Sequence, residues 1–241
     1  MLEKILLILV AILPGLLISG YIYWMDKHER ERGLPLLICF ALGALITAPG
    51  LAFQTWVDKL GYSESGSLWW TFFFALIVVG FTEELLKFIA FIGYPYRADF
   101  FNEPIDGIVY CVMIGMGFAT VENVIYALDY GIEIALFRGI TAVPAHAVFG
   151  VVMGYYAGSA KFIPQRRNQL LAVGFLLAVL IHGLYDFFIL QDTYEWLMLG
   201  ATLILYVSIF FAIRMIKQHQ RSSPFLKEQQ EVTIAPDEPT I

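Results

Sequence analysis

Long runs of apolar residues, separated by short polar connections, follow one another along most of this chain. A bilayer core about 30 Å thick needs about 20 apolar helical residues to cross it, and seven runs are long enough. The predicted spans are Ile5–Met25, Leu34–Val57, Leu68–Tyr94, Asp106–Leu128, Ile134–Ala160, Leu170–Leu190 and Trp196–Ile213. Apolar and polar residues do not alternate over any sustained stretch, so the pattern predicts an all-α polytopic membrane protein.

The composition supports the same fold class and excludes several functions. Of 241 residues, 59% are hydrophobic and only 15% are charged, whereas a soluble domain carries about 25% charged residues. Cys39 and Cys111 both lie in apolar runs, which excludes a disulfide scaffold and a cysteine-based zinc site. The net charge of −6 argues against a nucleic-acid partner.

Basic residues predict the orientation, because cytoplasmic loops are enriched in Lys and Arg. The loops after spans one, three and five and the end of span seven hold ten of the fifteen basic residues: Lys27, Arg30, Arg32, Arg97, Lys161, Arg166, Arg167, Arg214, Lys217 and Arg221. We therefore expect the N-terminus outside, with span one as an uncleaved anchor, and the C-terminus in the cytoplasm. The expected division is one transmembrane domain over residues 1–221 and a flexible cytoplasmic tail over 222–241.

Ionisable residues inside the predicted spans are concentrated in spans three to six. Charged groups at mid-bilayer cost several kcal/mol each by lower estimates, so they usually mark function. The residues are Glu83, Glu84, Lys87, Glu122, Arg138, His146, His182 and Asp186. Within one helix, Glu83 shares a face with Lys87, and His182 shares a face with Asp186, because each pair is four residues apart.

These side chains suit metal-assisted hydrolysis. Two neutral imidazoles and a carboxylate form an open zinc site, which makes hydroxide available near neutral pH. Potential ligands are His146, His182, Glu122 and Asp186, and Glu83 or Glu84 is a potential general base. Four carboxylates against Lys87 and Arg138 leave two formal negative charges, which one divalent cation would balance. The sequence contains neither the H-E-x-x-H zinc motif nor a G-x-S-x-G serine motif.

The same residues lie in motifs that resemble those of the PrsW family of intramembrane metalloproteases. The matching stretches, which cover a core of about residues 80–190, are Glu83-Glu84-Leu85-Leu86-Lys87, Asp106-Gly107-Ile108-Val109-Tyr110, Phe118-Ala119-Thr120-Val121-Glu122-Asn123, Pro144-Ala145-His146 and His182-Gly183-Leu184-Tyr185-Asp186. The chain is more distantly similar to the CAAX prenyl-protease and bacteriocin-processing group. Glu122 stands where that group has a histidine, and His146 would supply the compensating imidazole.

The resemblance implies a peptidase in a bacterial cell membrane. It would perform the first, extracytoplasmic cleavage of a membrane-anchored anti-sigma factor, so that a second protease releases the sigma factor in an envelope-stress response. In the implied site, Glu83 and Glu84 activate water, while Glu122, His146 and His182 hold a divalent metal, expected to be zinc, with assistance from Asp186. The supporting residues are Lys87, Asn123 and Arg138.

Three alternatives remain open on the sequence. Buried acids and histidines also form relays in proton- or cation-coupled transporters, although the chain shows no internal repeat of the kind many transporters have. A metal-free Glu/His hydrolase would use the same side chains. A non-catalytic membrane scaffold would not need them. The oligomeric state is not indicated by the sequence.

Overall fold

The computed structural model of the protein describes residues 2–26, 29–61 and 67–226, and every element in these ranges is helical. Within them, the α-helices are α1 (Leu2–Met25), α2 (Gly33–Lys59), α3 (Leu68–Phe73), α4 (Thr82–Gly93), α5 (Pro104–Tyr130), α6 (Ile132–Ile140), α7 (Ala142–Phe162), α8 (Arg167–Leu190) and α9 (Met198–Arg221). A π-helical segment, Phe74–Phe81, joins α3 to α4. The predicted all-α membrane fold is confirmed.

The number of membrane spans differs from the predicted seven. In the described ranges, six helical stretches are long and apolar enough to cross a membrane: Leu2–Met25, Gly33–Lys59, Pro104–Tyr130, Ile132–Phe162, Pro164–Leu190 and Glu195–Arg221. The predicted span Leu68–Tyr94 is not among them, since the π segment divides it and α4 carries three charged residues. The chain is nevertheless helical from Leu68 to Gly93, and π segments in helices frequently occur at functional sites.

The predicted span Ile134–Ala160 is divided at Thr141. The backbone of Thr141 (φ −123°, ψ −74°) leaves the helical conformation, so α6 ends and α7 begins there. Pro144 lies in the first turn of α7, where a missing backbone N–H removes no intrahelical hydrogen bond. This new helix start places His146 in the second turn of α7 rather than in the middle of a continuous helix.

Helix α5 lies at the centre of the bundle. In its most apolar stretch 83% of residues are buried, compared with 22% in α1 and in α9. It packs against α1, α2 and α7. A central position explains why α5 is apolar around its whole circumference, and it brings Glu122 into the interior.

Helix α8 approaches the π segment closely at Gly183. A Cβ atom at this position would lie 2.6 Å from Leu76 Cα, so no larger residue fits without a shift of backbone. The contact sets His182, the preceding residue, beside the beginning of α4. The missing side chain of one glycine therefore helps to assemble the polar cluster described below.

The end of α9 is joined to the end of α1, because Gln220 Nε2 donates a hydrogen bond of 2.7 Å to the carbonyl oxygen of Met25. Only residues 222–226 of the expected tail are described, and residues 227–241 lie outside the described ranges. The division into one domain and a flexible tail stays a prediction.

Four acidic residues are buried where the α1–α2 connection meets the start of α5. Asp26, Glu31, Glu103 and Asp106 are each at most 9% exposed. Asp26 Oδ2 accepts a hydrogen bond of 3.3 Å from the backbone N–H of Glu31, and Asp106 caps the first turn of α5. Burial, followed by the charge of Glu103, raises the pKa of Asp26 from 3.8 to about 7.

Replacing Asp26 with asparagine is expected to reduce the loss of stability that accompanies a rise in pH from acidic to neutral values. The folded chain binds the Asp26 proton more tightly than the unfolded chain, so stability falls as pH rises from 3.8 to about 7 and stays lower above it. Thermal unfolding in detergent at about pH 5 and about pH 8 measures this difference. Asp26→Asn should narrow it, whereas Asp192→Asn, at an exposed position, should leave it unchanged. If Asp26→Asn loses as much stability between the two pH values as wild type does, the raised pKa of Asp26 is contradicted.

Candidate active site

Two adjacent glutamates and a lysine occupy the first turns of α4, directly after the π segment. Glu84 Oε1 accepts a hydrogen bond of 2.8 Å from Lys87 Nζ, and Glu83 Oε2 lies 3.4 Å from the same nitrogen. Both glutamates are 1% exposed and Lys87 is 5% exposed. The ammonium also lies 4.3 Å from the centre of the Phe118 ring. The predicted shared face of Glu83 and Lys87 is confirmed, and Glu84 joins it.

His182 on α8 connects this turn to Asp186. Its Nδ1 lies 2.9 Å from Glu84 Oε1, and its Nε2 lies 3.1 Å from Asp186 Oδ2 and 3.8 Å from Glu83 Oε2. The imidazole stacks on Phe149, with 4.5 Å between ring centres. Carboxylate oxygens therefore face both ring nitrogens, and the stacked phenyl ring restricts the rotation of the imidazole.

His146 on α7 connects Glu122 on α5 to the same cluster. Its Nδ1 lies 2.9 Å from Lys87 Nζ, and its Nε2 lies 3.1 Å from Glu122 Oε2. The rings of His146 and His182 are perpendicular, with centres 5.1 Å apart. An ammonium has only donors, so His146 Nδ1 accepts from Lys87 and His146 Nε2 is left to donate to Glu122.

Arg138, near the end of α6, forms the other partner of Glu122. Its Nη2 lies 2.8 Å from Glu122 Oε2, and its guanidinium lies 3.9 Å from the centre of the Tyr126 ring. Among the described residues, the buried Nε of Arg138 has no hydrogen-bond partner. The break at Thr141 separates Arg138 on α6 from His146 on α7, and both side chains contact Glu122 Oε2.

The cluster fits a metal ion. Glu83, His146 and His182 each offer one donor atom, and these atoms lie within 4.8 Å of one another. Glu84 Oε2 is buried without a hydrogen-bond partner in the described part of the chain. Counting Glu122 and Asp186, four carboxylates face Lys87 and Arg138, which leaves two formal negative charges for one divalent cation. Two imidazoles and a carboxylate are donors that zinc accepts.

This grouping differs from the ligand set expected from the sequence. The structure brings Glu83 next to the two imidazoles, while Glu122 is engaged by Arg138 and His146. Asp186 contacts His182 Nε2, the ring nitrogen that also faces Glu83, whereas Glu84 contacts the other ring nitrogen. Lys87 occupies the space between Glu83, Glu84 and His146, so a cation there would share its donors with the ammonium.

Asn123, expected as a supporting residue, is not part of the cluster. Its side-chain amide donates to the carbonyl oxygens of Ala11, at 2.9 Å, and Ala135, at 3.3 Å. It therefore joins α5 to α1 and α6 beside the site. Gln54 on α2 was missed by the sequence analysis, although its Nε2 donates a hydrogen bond of 2.9 Å to Glu83 Oε1. The signal in the sequence that could have identified Gln54 is a polar amide side chain close to the end of an apolar span.

A cavity of about 220 Å³ opens onto this cluster. Its polar lining residues include Gln54, Glu122, Arg138, His146, His182 and Asp186. Aromatic rings such as Phe74, Tyr126 and Phe149 form much of the remaining wall. A cavity with an apolar wall and a few convergent polar groups is typical of a binding site.

Comparisons with known proteins identify the family of this chain. Residues 31–213 match the model of the PrsW family of intramembrane metalloproteases. The chain is 35% identical over 181 residues to Protease PrsW of Shouchella clausii, covering 75% of this chain and 82% of that protein. Over 212 residues it is 34% identical to Protease PrsW of Geobacillus kaustophilus, with 88% and 91% covered.

A third relative, Protease PrsW of Bacillus subtilis, is 33% identical over 192 residues, covering 79% of this chain and 85% of that protein. No solved structure matches the chain. The family and the apolar helices make it a multi-pass protease of the cell membrane, so the transporter and scaffold alternatives are set aside. The chain belongs to the PrsW family of intramembrane metalloproteases.

Proposed function

We propose that this protease cleaves the extracytoplasmic juxtamembrane segment of a single-span anti-sigma factor, as the first of two cuts that release a sigma factor. The position of the cavity supports the side of cleavage. Most of its lining residues come from the end of α2, the ends of α5 and α8 and the start of α7. With the N-terminus outside, and with the helical segment from Leu68 to Gly93 crossing as the third of the seven predicted spans, all of these helix ends lie in the outer half of the membrane.

The geometry supports a specific division of roles. Glu83, His146 and His182 would hold the metal, which we propose to be zinc, and Asp186 would assist through its contact with His182 Nε2. When bound, zinc supplies Lewis acidity that polarises a peptide carbonyl and acidifies water. Glu84 would take the proton of the attacking water on its unpartnered Oε2.

Glu122 and Arg138 would act on the substrate side of the cavity. Glu122 accepts from both Arg138 and His146, so it holds these two groups in a fixed relation. Arg138 lines the cavity, so its guanidinium would donate to the carbonyl oxygen of the scissile peptide, on which negative charge develops during attack. This arrangement needs an extended segment of substrate to enter the cavity, which suits a juxtamembrane region better than a transmembrane helix.

Co-reconstitution with a candidate substrate tests the proposal. Wild type and the variants Glu83→Ala, Glu84→Ala and His182→Ala are placed in proteoliposomes with a single-span anti-sigma factor, and the products are mapped by mass spectrometry. We expect wild type to cut on the extracytoplasmic side and the variants to leave the substrate intact. Processing by all three variants, or a cut on the cytoplasmic side, would contradict the proposal.

Metal removal is expected to abolish cleavage reversibly. Wild type purified without chelators should contain about one divalent ion per chain, and treatment with a chelator should remove both the ion and the activity until zinc is restored. His146→Ala and His182→Ala should lower the metal content measured by mass spectrometry. A control, His219→Ala, removes an imidazole that instead contacts Ser159 and should retain the metal. Full activity of the metal-free protein would favour a metal-free Glu/His hydrolase.

A further inference from the structure

Gln54 links α2 to the polar cluster. It lies in the last turns of α2, between the lipid-exposed side chains of Phe53 and Trp56, and it lines the cavity together with the two histidines. Its Nε2 donates a hydrogen bond of 2.9 Å to Glu83 Oε1. A partly buried amide in an apolar helix loses hydration, so this hydrogen bond compensates for part of that cost.

The hydrogen bond divides the two oxygens of Glu83 between different partners. Oε1 is held by Gln54, whereas Oε2 lies 3.4 Å from Lys87 Nζ and 3.8 Å from His182 Nε2. Without Gln54, the plane of the carboxylate could turn away from this orientation, because the last torsion of a glutamate side chain has a broad minimum. The amide therefore holds the carboxylate plane so that one oxygen stays directed at Lys87 and His182.

We propose that Gln54 is a positioning residue, which holds the Glu83 carboxylate in an orientation that directs one of its oxygens towards the metal position beside the two imidazoles. The inference rests on the proposed metal-dependent peptidase function. Outer-sphere partners of metal ligands orient those ligands, and their loss costs about 10–100-fold in metal affinity or activity. Gln54 thereby makes α2 part of the site, although no charged residue of α2 reaches the cluster among the contacts described above.

The alternative is that Gln54 only joins α2 to α4. A structural link would affect stability and leave the chemistry of the folded fraction unchanged. A positioning residue acts on metal affinity and on the turnover number kcat, because its loss changes the orientation of Glu83, whereas the rest of the cavity wall, and with it most of the substrate contact, is unchanged. The KM for substrate, kcat and the affinity for zinc therefore separate the two roles.

The test uses full-length protein in proteoliposomes with a peptide that spans the cleaved juxtamembrane segment. Gln54→Met keeps the length of the side chain and removes the donor. We expect kcat to fall by about 10–100-fold, KM to change by less than about 3-fold, and zinc affinity, measured by competition with a fluorescent chelator, to fall by a comparable factor. Gln54→Glu keeps the shape and replaces the donor with a second carboxyl group, and it should lose at least as much turnover.

A matched control removes another buried amide outside the cavity. Gln191 donates a hydrogen bond of 2.9 Å to the Tyr194 carbonyl oxygen at the end of α8, so Gln191→Met should change stability without changing kcat or zinc affinity. The proposal is overturned if both Gln54 variants keep the kcat and zinc affinity of wild type. That result differs from a failure of the peptidase function itself, in which wild type does not cleave the peptide.

Discussion

Replacing His182 with alanine is expected to lower proteolysis by about 10³-fold or more while the protein remains folded. The imidazole is the only described side chain that contacts Glu84, Asp186 and Glu83 together, so its loss removes a proposed metal donor and one partner of each of the three carboxylates. Removing a single group from an active site that acts as a unit commonly costs losses of this size. The measurement is kcat/KM on a reconstituted single-span substrate, together with thermal unfolding in detergent.

His219→Ala is the matched control for this prediction. His219 is also buried, at 4% exposure, but it stacks on Tyr155 and contacts Ser159 outside the cluster. Both variants lose a buried imidazole, so both should lower the unfolding temperature, and only His182→Ala should lose cleavage. If the two variants cleave the substrate equally well, His182 is not part of the active site.

Replacing Gly154 with leucine is expected to prevent the bundle from folding correctly. A Cβ atom at Gly154 would overlap the carbonyl oxygen of Gly107 and lie 2.6 Å from the Cα atom of Ile108. These are backbone atoms of the central helix α5, which cannot rotate away as a side chain could. Inserting extra methylene groups into a packed core typically costs about 1–3 kcal/mol, and a clash with backbone should cost at least as much.

The yield of monodisperse protein in detergent and its unfolding temperature measure this effect. Gly20→Leu is the matched control, because a Cβ atom at Gly20 in α1 would meet nothing within 4 Å. We expect the Gly20 variant to behave like wild type and the Gly154 variant to aggregate or unfold at a clearly lower temperature. If Gly154→Leu is as stable as the control, α5 and α7 do not approach as closely as described.

The positions of ionisable residues within the apolar runs were sufficient to identify the side chains that form the polar cluster. Intrahelical spacing correctly placed Glu83 with Lys87 and His182 with Asp186, because residues four apart on a helix must share a face. The cost of ionisable groups in a membrane then singled out four helices, and the motifs carried by these helices identified the family. These inferences needed no knowledge of how the helices pack.

The interhelical relations could not be predicted in the same way. Helix α5 is apolar on all sides, so its sequence does not show which face carries Glu122 towards His146 or Arg138. The break at Thr141 and the π segment also escaped the pattern, since both follow from local backbone geometry within apolar stretches. The roles of the individual acids and histidines stay predictions for the variants described above.

The sequence by itself determined that this protein crosses the membrane repeatedly, and it named the ionisable side chains and the family. Apolar runs and local spacing suffice for that, because they reflect the cost of polar groups in lipid and the 3.6-residue period of a helix. Only the tertiary structure decided that Glu83 lies with the two imidazoles, that Arg138 engages Glu122 and that Gln54 reaches Glu83. Those contacts depend on the rotation and crossing of neighbouring helices, which are set by packing at glycines such as Gly154 and Gly183.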